Sequence, residues 1–196
     1  MKQIIITIGR QFGSGGLLVA NKLGEKLGIP VYDNELITKA AQDSGFDEEF
    51  FKRSDEKKSI FSFSGMFNTE NFVSDGGLFN MQCETISTIA DQGSAIIVGR
   101  CADYVLREHD NVISVFLTSP IEARAQRVME RDGLTHDEAI IKIEKKDKSR
   151  EAYYNYFTFG NWGVASTYNL CLDSSILGIE GTADLIIDFI TKRENA

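Results

Sequence analysis

The chain has 196 residues, 42% of them hydrophobic, and 29 acidic side chains against 21 basic ones set a formal net charge of -8. That length suits one domain with a sizeable core, and the acidic balance excludes the charge-driven binders of nucleic-acid polymers, whose affinity comes from Lys and Arg on phosphates. Any anionic ligand must meet cations that are clustered locally.

The first strand-like run is Gln3 to Ile8 in QIIITI, short, apolar and β-branched. It is too short for the apolar region of a signal peptide and is followed at once by Gly9 and Arg10. No apolar run reaches membrane-spanning length, so no membrane partner is expected. Cys83, Cys101 and Cys171 are scattered without metal-ligand spacing. Buried or idle thiols in a reduced compartment, the cytoplasm, are the expectation. After the glycine-rich turn GRQFGSGG, Val19, Leu23 and Leu27 recur at helical spacing. VYDNELI follows and places Asp33 at the end of a second predicted strand.

The segment from Phe46 to Gly77 breaks this rhythm, with Phe61, Phe63, Phe67 and Phe72 among Ser, Gly and Asn. So many aromatics favour a flap that packs on something over a disordered insert. MQCETISTIADQG then reads as a helix leading into the strand Ala95 to Val98, and Asn111 to Leu117 as a further strand. SPIEARAQRVMERDG is a helix with Pro120 just inside its start. Next comes the densest cationic stretch, Lys142, Lys145, Lys146, Lys148 and Arg150, running into Tyr153, Tyr154, Tyr156, Phe157, Phe159 and Trp162. A solvated helix face is the simpler account of such a run, and packing the simpler account of the aromatics. Tyr168 to Ser175 completes the strands and GTADLIIDFITKR the helices. Alternating strands and helices, with strands that show no clear alternation of their own, predict an α/β fold of three layers around a parallel sheet.

The turn carries the chemistry. Between a strand and a helix, Gly13, Gly15 and Gly16 allow backbone N–H groups to converge on an anion at the positive end of the helix. The usual phosphate loop, G-x-x-x-x-G-K-[ST], adds a lysine for the phosphates and a hydroxyl for magnesium. Here Gly16 and Leu17 stand at those two positions, so the backbone role survives without the side-chain roles. A tight strand-to-helix connection is the plain alternative. Arg10, one place past Gly9, is the candidate replacement cation, and Ser14 a candidate for a phosphate or metal contact.

Other positions divide in the same way. Asp33 reads as a ligand or as the N-cap of the next helix. Arg100 directly follows the buried-strand pattern AIIVG, where an arginine is costly to bury without an anionic partner. Asp103 holds Arg100, binds a ligand or forms a structural ion pair. Arg124, Arg127 and Arg131 share one helix face, where surface pairing with Glu122, Glu130 or Asp132 would explain them. His109 and His136 are isolated and read as solvated, and no metal cage or Ser-His-Asp set is present.

The ordered set IGRQFGSGG, LGIPVYDNELI, IIVGRCADYVL, VFLTSPIEARAQRVMER, KKDKSREAYYNYF and YNLCLDSSILGIE resembles the cytidylate-kinase-like family, relatives of bacterial cytidylate kinases among the nucleoside monophosphate kinases. Its most specific part is the joint occurrence of GR-x-x-GSGG, YD-x-EL and VGR-x-AD. The family itself carries GSGG where ordinary kinases carry GSGK or GAGK, so the missing lysine is a family trait.

The resemblance implies a single P-loop NTPase-like domain over residues 1–196, its core formed by 1–45, 84–135 and 165–196, with a monophosphate-binding insertion over 46–83 and a mobile lid over 136–164. It implies Asp33, Arg100 and Asp103 on the acceptor, Arg127, Arg131 and Lys145 on the donor, and Arg10, Arg100, Lys148 and Arg150 at the transferring phosphoryl. Gly9, Gly13, Ser14, Gly15 and Gly16 would form the phosphate loop. ATP, with magnesium brought by the nucleotide, and CMP or dCMP are the expected ligands. The rival expectations are a nucleotide-binding sensor of little turnover, favoured by Gly16 and Leu17, and a kinase for another small molecule.

Overall fold

The computed structural model describes residues 3–43 and 69–194; the expectations for 46–68, including Phe61, Phe63 and Phe67, lie outside the described residues. Five strands form one sheet, β1 (Ile5–Arg10), β2 (Val31–Tyr32), β3 (Ala95–Val98), β4 (Val112–Thr118) and β5 (Leu170–Asp173), in the order β2-β3-β1-β4-β5. Every pairing is parallel, with Ile5 of β1 opposite Ala95 on one side and Val112 on the other.

Helices cover both faces, which is why the strands read as unbroken apolar runs. On one face Ile4, Ile6 and Ile8 pack with Val19 and Leu23 of α1 (Gly16–Leu27) and with Ala183, Ile186 and Ile190 of the C-terminal helix α7 (Ser174–Glu194). On the other, Ile5 and Ile97 pack with Ile37 of α2 (Asn34–Asp43), Ile86 and Ile89 of α3 (Thr69–Gln92) and Ala102 of the short α4 (Ala102–Val105). The expected three-layer α/β fold is therefore present. Because all strands run the same way, their C-terminal ends, with the turns that follow, gather at one edge, where open α/β sheets place ligands.

Boundaries shift for identifiable reasons. β1 runs to Arg10 and not Ile8, because its pairing with β4 continues through Gly9 and Arg10 after the apolar run has ended. α3 begins at Thr69, so the end of the expected flap, 69–77, is helix. A first helical turn follows β5 at once, and the chain breaks at Gly178, whose φ of 65 a residue with a side chain adopts only at a cost, before the main part of α7.

Two further helices frame the edge, α5 (Ile121–Asp132) and α6 (His136–Thr158). Thr135 and Glu138 close a reciprocal capping box at the start of α6. His136 is exposed but not isolated, since its Nε2 lies 2.9 Å from Glu122 Oε2. Ala125 and Val128 of α5 pack on Ala139 and Ile143 of α6, with Phe12 of the glycine loop against them.

That packing turns Arg124 inward, away from the acidic neighbours on its own helix. It is 7% exposed and pairs with Asp147 of α6, Nη1 to Oδ2 at 2.5 Å. The other Asp147 oxygen, Oδ1, accepts the Phe12 N–H at 2.7 Å. Deleting one partner of a buried pair strands the other charge. Asp147→Ala is expected to cost about 3 kcal/mol, read as a lower midpoint in urea unfolding; a loss of only a few tenths would remove this pair from the fold's support.

Candidate functional site

The glycine loop has the backbone of an anion cradle. Gly13 and Gly15 hold φ of 81 and 82, the left-handed region that glycine favours, and Gly15 caps α1. Among the described residues, no acceptor takes the N–H groups of Gly13, Gly15 or Gly16. They are the orphan donors that open a helix and attract negative charge.

Neighbours hold the cradle rigidly. Arg127 Nη1 donates to the Gly13 carbonyl. The Ser14 hydroxyl is buried and donates to the Gln11 carbonyl at 2.9 Å, so it faces the inside of the loop and not a phosphate or metal. The Ser14 carbonyl accepts in turn from Ser174 Oγ at the start of α7, at 2.5 Å. Leu17, where a hydroxyl would meet magnesium, is 43% exposed. Among the described residues no group of three or more His, Cys, Asp or Glu side chains could hold a metal ion.

Beside the cradle lies a cavity of about 370 Å³ whose walls come from the ends of β1 and β3 and from one face of α6. Three arginines line it. Arg10 ends β1, and burial, then Arg150 and Arg100, lower its pKa to about 9, with Asp33 acting the other way. It stays protonated at neutral pH. Arg100 follows β3 in a turn where Gly99, Arg100 and Cys101 all have positive φ, 80, 54 and 56. Two of these are not glycines, a local strain that the surrounding structure must support. The Arg100 Nε donates to Asn34 Oδ1, and its guanidinium lies 5.3 Å from the Tyr153 ring centre. Arg150 reaches over from α6 and donates from Nη1 to the Arg10 carbonyl at 2.9 Å; burial lowers its pKa from the usual value.

Among the described residues, Asp103 is the one carboxylate lining this cavity. It does not hold Arg100. Its Oδ2 accepts from Tyr154 Oη at 2.7 Å, and burial raises its pKa. Asp33 caps α2, with Oδ1 accepting the N–H groups of Glu35 and Leu36 at 3.0 Å each.

The other expected site residues separate. Arg127 braces the loop rather than pairing on the surface, whereas Arg131 does pair, holding Asp132 through Nε at 2.7 Å and Nη2 at 2.8 Å. Lys145 and Lys148 are exposed and off the cavity wall, while Lys146, Ser149, Arg150 and Tyr153 line it. Those four recur at the spacing of one helix face, a signal visible once 136–158 is taken as a single helix. Sequence reasoning also missed Asn34 and Phe12. The aromatics divide between packing and lining: Phe157 stacks on Phe79 at 4.0 Å, and Trp162 meets Phe116 edge-on at 5.3 Å while also lining the cavity. Cys83, Cys101 and Cys171 are all free, with Cys171 exposed. Burial pushes the Cys83 and Cys101 thiols up to about 11 and about 12, which leaves them poor nucleophiles. Among the described residues, no helix is long and apolar enough to cross a membrane.

Comparison with known proteins finds a matching family and a shared fold. The model of the cytidylate kinase-like family matches residues 5–176. A cytidylate kinase of Methanopyrus kandleri is 29% identical over 98% of this chain and 97% of its own length, and one of Pyrococcus horikoshii is 27% identical over 94% and 86%. Among solved structures, a protein from Eubacterium ventriosum described as uncharacterized superposes with a TM-score of 0.78 at 32% identity, over 97% of this chain and 99% of that one. Shikimate kinase from Bacteroides thetaiotaomicron gives 0.57 at 12% identity, over 96% and 99%, a likeness of fold.

The cavity's charge makes a direct prediction. Arg100→Ala is expected to weaken binding of inorganic pyrophosphate at least tenfold, about 1.4 kcal/mol, and to flatten its salt dependence in calorimetric titration; unchanged affinity would take Arg100 out of the site.

Proposed function

The chain belongs to the cytidylate kinase-like family, and we propose that it transfers the γ-phosphoryl group of ATP to a nucleoside monophosphate, with CMP or dCMP the first acceptors to test. The observation that carries this reading is the gathering of Arg10, Arg100 and Arg150 around one cavity that adjoins a glycine loop with open N–H groups. Phosphoryl transfer asks a protein mainly to align two phosphates in line and to place positive charge around the equatorial oxygens.

In this reading the loop N–H groups hold the donor phosphates, and the acceptor phosphate enters the cavity against Arg100. An acceptor phosphate oxygen forms a bond to the γ-phosphorus as the bond from that phosphorus to the β-bridging oxygen breaks, leaving ADP and a nucleoside diphosphate. The acceptor oxygen is already ionised, so no general base is required. Tyr153, Tyr154 and Trp162 offer flat apolar surface for a base, and Asp103 an acceptor for its polar edge. Magnesium would come with the nucleotide and be held by its phosphates, since Leu17 and the inward Ser14 supply no ligand. In the same reading the segment 46–83 is the acceptor-binding insertion and 136–164 the lid, with Arg127, Arg131 and Lys145 on the donor side and Lys148 at the transferring phosphoryl.

Leu17 and the inward Ser14 favour one rival, a protein that binds a nucleotide without useful turnover. ADP formation from ATP and magnesium, with CMP, dCMP, UMP, AMP and GMP offered singly against a control without acceptor, separates the two. Turnover that depends on CMP or dCMP is expected. ATP binding with no monophosphate raising the rate above the control would leave a nucleotide-binding protein or a kinase for another acceptor.

A further inference from the structure

We propose that Arg10 is the phosphate ligand standing in for the lysine absent at position 16, and that Gly16 is glycine because the stem of Arg10 occupies the space its side chain would take. The inference rests on the kinase reading for its reaction but not for its anion. A Cβ on Gly16 would meet Arg10 Cβ and Cγ at 2.7 Å each. These atoms lie next to the backbone of a central strand, so they cannot swing aside as the tip of a flexible side chain can. Gly16 does not have positive φ, so its backbone does not require glycine. The contact with Arg10 is what a larger residue would violate.

From Gly16 the side chain of Arg10 extends across the cavity to Gly99 at the end of β3, where an added Cβ would lie 2.0 Å from Nη1. The guanidinium thus stands between the start of α1 and the turn that carries Arg100. Among the described residues nothing forms a hydrogen bond or ion pair with it; its charged neighbours are Arg150 and Arg100, which oppose its charge, and Asp33, which favours it. A partly buried cation facing two others is unfavourable in the empty protein and favourable once an anion sits among them. A lysine at 16 and an arginine at 10 are therefore alternative ways to deliver one charge, and this chain uses the second. Arg10 stays protonated throughout and passes no proton; its role is to hold the phosphoryl oxygens.

Inorganic tripolyphosphate tests the site without assuming an acceptor. Arg10→Met, which keeps the apolar stem, is expected to weaken tripolyphosphate binding at least tenfold while the melting temperature of the ligand-free protein at pH 7 holds or rises, because a repelled charge is gone. Gly16→Ala is expected to lower the melting temperature when Arg10 is present and to have little effect in an Arg10→Gly background. Arg10→Gly with Gly16→Lys is expected to bind tripolyphosphate more tightly than Arg10→Gly alone. Affinity of Arg10→Met within twofold of the parent would overturn the proposal, as would an equal effect of Gly16→Ala in both backgrounds. If these shifts occur but no acceptor yields ADP, the anion site stands and the kinase reading falls; if the parent turns over while Arg10→Met binds and reacts as well, the proposal alone falls.

Discussion

Helix α6 is fastened to the glycine loop through the loop's own backbone, and the site depends on that fastening. Asp147 accepts the Phe12 N–H and Arg150 donates to the Arg10 carbonyl, so two side chains one helical turn apart hold both ends of the short stretch from Arg10 to Phe12. The buried Arg124 completes the link by pairing with Asp147 and reaching the Phe12 carbonyl at 3.3 Å. Together with the packing of α6 on α5 and the Tyr154–Asp103 hydrogen bond, this attachment holds the face carrying Lys146, Ser149, Arg150 and Tyr153 as one wall of the cavity.

Electrostatics follow from that geometry. The chain is acidic as a whole, yet among the described residues three guanidinium groups share a cavity with one lining carboxylate, and Tyr154 already occupies an oxygen of that carboxylate. Elsewhere, several cations are matched at close range: Lys26 meets Glu180 at 2.6 Å, and Lys142 meets Asp132 at 2.9 Å. Such exposed pairs contribute little to stability. The contrast sets the cavity apart from the rest of the surface, because charge left uncompensated inside a protein is costly.

The loop shows how a motif can lose its named side chains and keep its physics. The anion-binding part of a phosphate loop is backbone, set by left-handed glycines and the opening turn of a helix, and both are present here. Ser14 has moved to a structural task, joining Gln11 and the start of α7, and Arg127 supports the Gly13 carbonyl from α5. The cradle is therefore braced on two sides. Its cationic complement comes from the strand before the loop and from helices distant in sequence.

The order of elements, the parallel sheet covered on both faces, the glycine turn, and the choice of Arg10, Arg100 and Arg150 as candidates were all legible in the sequence, because each rests on local composition or on a short motif. Periodicity and β-branched runs act over a few residues, so they show in the chain itself. The partners of charged side chains were not legible. Arg124 met Asp147 and not its helix neighbours, Asp103 met Tyr154 and not Arg100, and Ser14 turned inward, because each choice was made by an element far away in sequence that packing brought alongside. Lys146 lines the cavity and Lys145 does not because α6 is one continuous helix docked on α5, which sets the face that looks inward. Local chemistry wrote the elements and the glycine loop; tertiary packing decided which charges were paired and which were gathered unpaired around one cavity.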